Sequence, residues 1–116
     1  MSLPAASRAP DPEICEAMRA LDGSDAVVRG AKLTRAQAIA RRHAGGDIVV
    51  CGPNTPDNDQ IAREIEEAAT PAGNPPPIYH GPHGGPLSLP HWQQKTRLPE
   101  GHSFHETHIR QARILP

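Results

Sequence analysis

The sequence is poor in aromatic residues, in cysteine and in long apolar runs. Aromatic residues make up 3% and hydrophobic residues 36% of its 116 residues, and both fractions are low for a globular domain. The longest apolar run is Ile48–Cys51, far shorter than the roughly 20 residues of a membrane-spanning helix. The only cysteines, Cys15 and Cys51, form no CxxC pair, which argues against a disulfide framework and a thiolate zinc site.

Neither sign of charge dominates the sequence. Twelve Lys and Arg residues oppose 13 Asp and Glu residues, for a net charge of -1. This balance indicates no partner by itself, although the distribution of charge matters more than the sum. Residues 1–10 contain no apolar core of a signal peptide, so we expect the protein to act in the cytosol, away from membranes. The length fits one domain.

The composition divides the chain into a lead-in and two halves of one domain. We expect residues 1–10 to be a disordered lead-in and residues 11–116 to form a single α+β domain, with a helix-rich acidic half over 11–70 and a histidine-rich β and loop half over 71–116. Residues 1–77 hold eight basic and eleven acidic residues, a formal -3, whereas residues 78–116 hold four and two, a formal +2. The histidines therefore lie mainly in the more basic half.

The acidic half carries the signals of three helices. Asp11-Pro12, followed by apolar residues at positions 14, 18 and 21, predicts a first helix that ends near Gly23. A Thr34/Gln37 capping box predicts a second helix to about His43. The β-branched run in Asp47–Cys51 predicts a strand, and Asn54-Thr55-Pro56-Asp57 predicts the start of a third helix.

The second half predicts short strands between proline- and glycine-rich loops. Nine of the 14 prolines lie from Pro71 onward. Three β-capable segments remain: Pro77–His80, Leu87–Gln94 and His102–Glu106. We therefore predict two to three N-terminal helices packed on a small, mostly antiparallel sheet.

Histidine is the residue type that carries a chemical signal. Six of the seven histidines lie between His80 and His108. Strand alternation predicts that His102 and Glu106 share a face, to which a neighbouring strand could contribute His91. Two imidazoles and a carboxylate are suited to general acid-base cleavage of a phosphodiester. A nearby cation would stabilise the developing charge, and the candidates are Lys95, Arg97 and Arg110.

Other interpretations of the histidines stay open. They can be solvated loop residues or structural groups, or they can ligate a metal. The HExxH motif fails because position 109 is isoleucine, and no cysteine follows Cys51 to complete a zinc-deaminase signature. Trp92, the sole tryptophan, can be core packing or a stacking platform for a base.

Two segments carry a family resemblance. One runs from Leu33-Thr34-Arg35 through Ala44-Gly45-Gly46-Asp47-Ile48-Val49-Val50-Cys51-Gly52 to Ile61-Ala62, and the other combines Leu89-Pro90-His91-Trp92-Gln93 with Gly101-His102-Ser103-Phe104-His105-Glu106-Thr107. Together they resemble the small C-terminal toxin modules of bacterial polymorphic toxins, over about residues 26–113.

The resemblance implies a cargo domain of a larger delivery protein, active in the target cytosol and neutralised by a cognate immunity protein. Many such modules are nucleases, including metal-independent ribonucleases built from histidine, acid and arginine. It implies His91, His102 and Glu106 as the first catalytic candidates and His80 and His105 as the second. Substrate contacts would come from a further set of residues: Tyr79, Trp92, Arg97 and Arg110.

The implied ribonuclease needs no cofactor, and RNA is its expected substrate. The sequence shows no deaminase signature, no ADP-ribosylation pattern and no lysine-rich patch. The alternatives are a nuclease or hydrolase that uses the histidines to bind a divalent metal, and a non-catalytic immunity-like or adaptor module whose acidic helices face a partner.

Overall fold

The computed structural model describes residues 11–82 and 85–114, and the predicted lead-in lies outside them. The described chain forms one seven-stranded sheet with two helices. In chain order the elements are β1 (Glu13–Arg19), β2 (Val27–Leu33), α1 (Arg35–His43), β3 (Ile48–Cys51), α2 (Thr55–Ala69), β4 (Ile78–His80), β5 (His91–Gln93), β6 (Ser103–His105) and β7 (Arg113–Ile114). Neither helix is long and apolar enough to cross a membrane.

The sheet is mixed, and its order is β4-β5-β6-β3-β1-β2-β7. Strands β1 and β2 form an antiparallel hairpin, and β1 also pairs antiparallel with β3. The pairs β3/β6 and β2/β7 are parallel, whereas β4, β5 and β6 form an antiparallel meander. The prediction of two to three N-terminal helices packed on a small sheet is therefore wrong. The described chain begins with two strands, it contains two helices, and the seven-stranded mixed sheet dominates this α+β fold.

The largest error concerns the first predicted helix. Its apolar residues at 14, 18 and 21 fit a helical face, but residues 13–19 form β1, in the sheet interior between β2 and β3. Both edges of β1 therefore have backbone partners. The small side chains of Cys15 and Ala17, 4% and 3% exposed, pack in the core. Long-range pairing thus overrides the local helical pattern.

The predicted second helix, the strand before Gly52 and the start of the third helix are confirmed. Both hydrogen bonds of the capping box between Thr34 and Gln37 are present at the start of α1. Strand β3 is buried at all four residues. Asn54 caps α2, and its side chain accepts a hydrogen bond from the Asp57 backbone N–H.

Each face of the sheet carries its own apolar cluster. The helical face joins Ile48 and Val50 of β3 to Ala38 of α1 and to Ala62 and Ile65 of α2. The opposite face is covered by connecting segments, and we call it the loop face. Its cluster contains these residues: Cys15, Ala17, Val27, Val49, Cys51, Leu89, Phe104 and Ala112.

A fully buried ion pair joins the two helices. Arg42 of α1 and Glu66 of α2 are both 0% exposed, and the guanidinium donates to both carboxylate oxygens at 2.8 and 3.0 Å. The same carboxylate accepts from the Ser103 hydroxyl and from the Gln94 amide, at 2.8 and 2.6 Å. This network ties both helices to β6 and to the end of β5.

Candidate active site on the loop face

Three histidines from neighbouring strands lie together on the loop face. His80 of β4 is opposite His91 of β5, and their ring centroids are 5.4 Å apart. His91 is opposite Phe104 of β6, on the face of the Phe104 core cluster. His102, just before β6, meets His91 edge to face, with ring centroids 4.6 Å apart. The structure thus brings together His80, His91 and His102, which we call the histidine row.

A carboxylate and a guanidinium flank His102. Its Nδ1 lies 3.4 Å from Asp47 Oδ1 and 3.5 Å from Arg19 Nη2. Its backbone N–H also donates to Asp47 Oδ1, at 2.7 Å. Burial alone would raise the pKa of Asp47, but the hydrogen bonds from His102 outweigh it and lower that pKa below its ordinary value of 3.8. Asp47 is therefore held as a carboxylate beside the imidazole.

Gly101 lets the chain approach Asp47 this closely. Its φ is 99°, in the left-handed region that favours glycine. A Cβ at this position would lie 2.7 Å from Arg42 Nη1 and 2.8 Å from Asp47 Oδ1. Only glycine therefore fits here without moving the groups that position His102.

His91 is more enclosed than His102. It is 3% exposed, whereas the His102 side chain is 23% exposed. Its Nδ1 lies 3.4 Å from the Leu89 carbonyl oxygen, and its Nε2 lies 3.1 Å from Gln93 Oε1. Each ring nitrogen therefore lies within reach of an oxygen that can accept a hydrogen bond from it.

Two clefts adjoin the histidine row. The first, about 150 Å³, is lined by Arg19, Asp25, Val27, Ser88, Leu89, His91 and Phe104. The second, about 250 Å³, is lined by Gln93, Gln94, Arg97, Glu100, Gly101 and His102. The first cleft contains His91 and Arg19, and the second contains His102 and Arg97. Each cleft therefore places a group that can transfer a proton beside a positive charge.

Glu106 does not reach the histidine row. It follows β6, and its Oε1 and Oε2 accept from the backbone N–H groups of Gly52 and Ala112, at 3.2 and 2.8 Å. Arg29 Nη2 lies 3.6 Å from the same carboxylate. Glu106 thus anchors the segment after β6, while Asp47 is the carboxylate beside His102.

His105, Trp92 and Tyr79 lie on the helical face. Trp92 Nε1 donates to Asp59 Oδ1 at 2.6 Å, and His105 Nε2 lies 3.5 Å from the same oxygen. Tyr79 meets Trp92 edge to face at 5.5 Å between centroids. Desolvation by burial lowers the pKa of His105 below its ordinary value of 6.5, against smaller raising effects of Glu106 and Asp59. This cluster is separated from the histidine row by the sheet.

The two arginines expected at the site differ in position. Arg97 lines the second cleft beside His102. Arg110 Nη1 instead donates to the carbonyl oxygens of Pro86 and Ser88, at 3.0 and 2.8 Å, which fixes the segment before β5. Arg110 therefore has a structural role, because it holds in place the segment that covers this part of the loop face.

Sequence reasoning missed Arg19, Asp47 and Gln93. Arg19 is 83 residues from His102 and Asp47 is 55 residues from it, and no local motif marks either one. Gln93 carried a usable signal, because it lies two residues after His91 and alternation puts both side chains on one face of a strand.

Within residues 11–82 and 85–114 no group of three or more His, Cys, Asp and Glu residues is arranged to hold a metal ion. Comparisons with protein-family models, with curated proteins and with solved structures found no match. The geometry of the histidine row is therefore the main guide to function.

Proposed function

We propose that the protein is a ribonuclease that cleaves RNA by metal-independent acid-base catalysis and that it acts as the toxin domain of a bacterial polymorphic toxin. The observation that carries the catalytic part is the 4.6 Å contact between the rings of His91 and His102, with Asp47 at Nδ1 of His102. The toxin part rests on the family resemblance of the sequence.

His102 is the proposed general base. A proton on Nδ1, directed at Asp47, leaves the Nε2 lone pair to accept a proton from substrate. His102 is also the more exposed member of the pair. In this tautomer Asp47 orients the ring, as carboxylates do for catalytic histidines, and Arg19 Nη2, which also lies 3.5 Å from Nδ1, donates to the substrate phosphate instead of to the ring.

His91 is the proposed general acid. His102 removes the proton from the ribose 2′-hydroxyl, the 2′-oxygen bonds to phosphorus, and the bond from phosphorus to the 5′-oxygen breaks. The leaving oxygen takes its proton from His91, so the products carry a 2′,3′-cyclic phosphate and a 5′-hydroxyl. The step consumes no water and uses the 2′-hydroxyl that distinguishes RNA from DNA.

Arg19 is the proposed electrostatic group. Its Nη2 lies 3.5 Å from His102 Nδ1, and it lines the cleft that contains His91. A guanidinium there would stabilise the negative charge that develops on the phosphoryl oxygens. This assignment replaces Arg110, whose guanidinium is bound to loop carbonyls.

The test is cleavage of single-stranded RNA and DNA of the same sequence in the presence of a chelator. We expect cleavage of RNA only, with cyclic phosphate ends. His102→Ala should lower kcat by at least about 100-fold, the usual contribution of a general base. Asp47→Asn should lower kcat with little change in KM. His108→Ala is the matched control, because His108 is an exposed histidine outside the row.

Two results would contradict the mechanism. Activity that the chelator abolishes would favour the metal-dependent alternative, and DNA cleavage would exclude the 2′-hydroxyl as nucleophile. The toxin part is tested by induced expression in the bacterial cytosol. Growth arrest with degraded RNA for the wild type and normal growth for His102→Ala is expected, whereas equal growth of both would overturn it and favour a non-catalytic binding module.

A further inference from the structure

The cleft beside His102 is lined mainly by polar side chains. Its volume is about 250 Å³, and side chains at residues 93, 94, 97 and 100 line it together with Gly101 and His102. All four side chains are amides or charged groups. Such groups fix the orientation of a ligand and discriminate between similar ligands.

One buried acceptor in the lining lacks a donor. Gln94 is 1% exposed, and its amide nitrogen donates to Glu66 Oε2 at 2.6 Å and to Thr70 Oγ1 at 2.9 Å. These bonds fix the amide, and its Oε1 is buried with no hydrogen-bond partner. Buried acceptors are nearly always paired in folded proteins, so a ligand with an N–H donor in the cleft would supply the partner that this oxygen lacks.

Two exposed charged residues complete the lining. Arg97 and Glu100 lie in the turn between β5 and β6. The turn is anchored at both residues, because the Arg97 backbone N–H donates to the Gln94 carbonyl at 3.0 Å and the Glu100 carbonyl accepts from Arg42 Nη1 at 2.8 Å. The cleft thus offers one forked donor and two acceptor groups on a fixed backbone.

We infer that this cleft binds the guanine base of the RNA substrate. Guanine has two adjacent donors, N1–H and N2–H, and two acceptors, O6 and N7, on different edges. Glu100 and Gln94 supply acceptors for the donor edge, and Arg97 can donate to O6 and N7 together. Adenine, cytosine and uracil each lack the pair of adjacent ring and amino donors.

The inference rests on the proposed function and specifies its substrate preference. His102 belongs to both the cleft and the histidine row. A guanine held in the cleft therefore places its own ribose and 3′-phosphate towards His102, and cleavage is expected after guanosine.

The test is binding of the four nucleoside 3′-monophosphates, followed by chemical shifts of the backbone amides. We expect guanosine 3′-monophosphate to bind at least about tenfold more tightly than the others, as one good base contact provides. The shifts should be concentrated in residues 93–102. Glu100→Gln replaces an acceptor by a donor that opposes N1–H and N2–H, and it should remove this preference. Glu67→Gln, an exposed acid on α2, is the matched control.

Three results would overturn the inference: no binding, equal binding of all four nucleotides, or an unchanged preference in Glu100→Gln. If the proposed ribonuclease function is wrong, the combination of binding and cleavage results differs from these three. Selective guanosine 3′-monophosphate binding without RNA cleavage would refute the ribonuclease assignment and leave the cleft as a guanine site. RNA cleavage at equal rates after all four bases would support the ribonuclease assignment and refute the guanine site.

Discussion

The buried ion pair between α1 and α2 allows a quantitative test of the fold. Four donor groups converge on the two oxygens of Glu66: two nitrogens of Arg42, the Ser103 hydroxyl and the Gln94 amide. Glu66→Gln keeps the shape but replaces one acceptor oxygen by an NH₂ group. At least one donor then faces another donor, and the Arg42 guanidinium, 0% exposed, loses its counter-charge.

Loss of one partner of a buried ion pair destabilises a protein by about 3–5 kcal/mol. Small domains have unfolding free energies of about 5–15 kcal/mol. Glu66→Gln should therefore remove a large part of the free energy of unfolding of this protein. With a shift of at least about 4 °C per kcal/mol for a domain of this size, Tm should fall by at least about 12 °C. Circular dichroism during heating and urea titration measures both quantities.

The neighbouring residue provides the control. Glu67 pairs with Arg63 at 3.2 Å, but both side chains are about half exposed, and such a surface pair contributes at most about 0.5 kcal/mol. Glu67→Gln should therefore be nearly neutral. Equal unfolding free energies for the two variants would falsify the assignment of Arg42 and Glu66 as a buried pair that holds the helices together.

A double variant distinguishes the attraction between the two charges from the free-energy cost of burying them. Arg42→Met combined with Glu66→Leu removes both charges, and apolar replacement of a buried pair is often neutral or stabilising. We expect it to be more stable than Glu66→Leu alone. A double variant less stable than the single one would mean that the hydrogen bonds of Arg42 to the Gly46 and Glu100 carbonyls dominate its contribution.

Two further predictions concern pH and capping. The lowered pKa of the buried His105 means that the unfolded chain takes up a proton near pH 6.5 while the folded protein does not, so stability should fall as pH drops below 6.5 towards the folded pKa. Urea titrations at pH 7.5 and 5.5 should show a smaller loss for His105→Gln than for the wild type, and an equal loss would contradict the burial effect. Thr34→Ala removes the side-chain cap of α1 and should cost about 1 kcal/mol, whereas Thr34→Ser should keep most of it; equal Tm values for the two would argue against the cap.

The structure also shows where local patterns were sufficient. The cap of α1, the apolar strand β3 and the cap of α2 all depend on residues within a few positions of each other. Alternation along β6 correctly predicted that His102, Phe104 and Glu106 share one face of the sheet, but it could not predict how far apart their side chains lie. Glu106 lies after the end of β6, where its carboxylate accepts hydrogen bonds from the backbone N–H groups of Gly52 and Ala112. It therefore shares the loop face with His102 but does not contact the histidine row.

The prediction of the first helix was wrong because only local spacing guided it. Ile14 and Met18 are spaced as on a helical face, and residues 13–19 show no strict alternation of polar and apolar residues. The choice between helix and strand depends on partners that are distant in sequence, since Ile14 pairs with Leu33 on one side and with Val50 on the other. Local propensity carries no information on such pairs.

The sequence by itself determined that histidine chemistry is concentrated in the second half and that α1, β3 and α2 form where their caps and apolar runs lie. Only the tertiary structure decided which groups meet. The sheet order brings Asp47, before β3, and Arg19, at the end of β1, to His102, and it places His105 on the opposite face. The physical reason is that hydrogen-bonded strand pairing fixes side-chain neighbours across the sheet, and this pairing joins segments that the sequence keeps far apart.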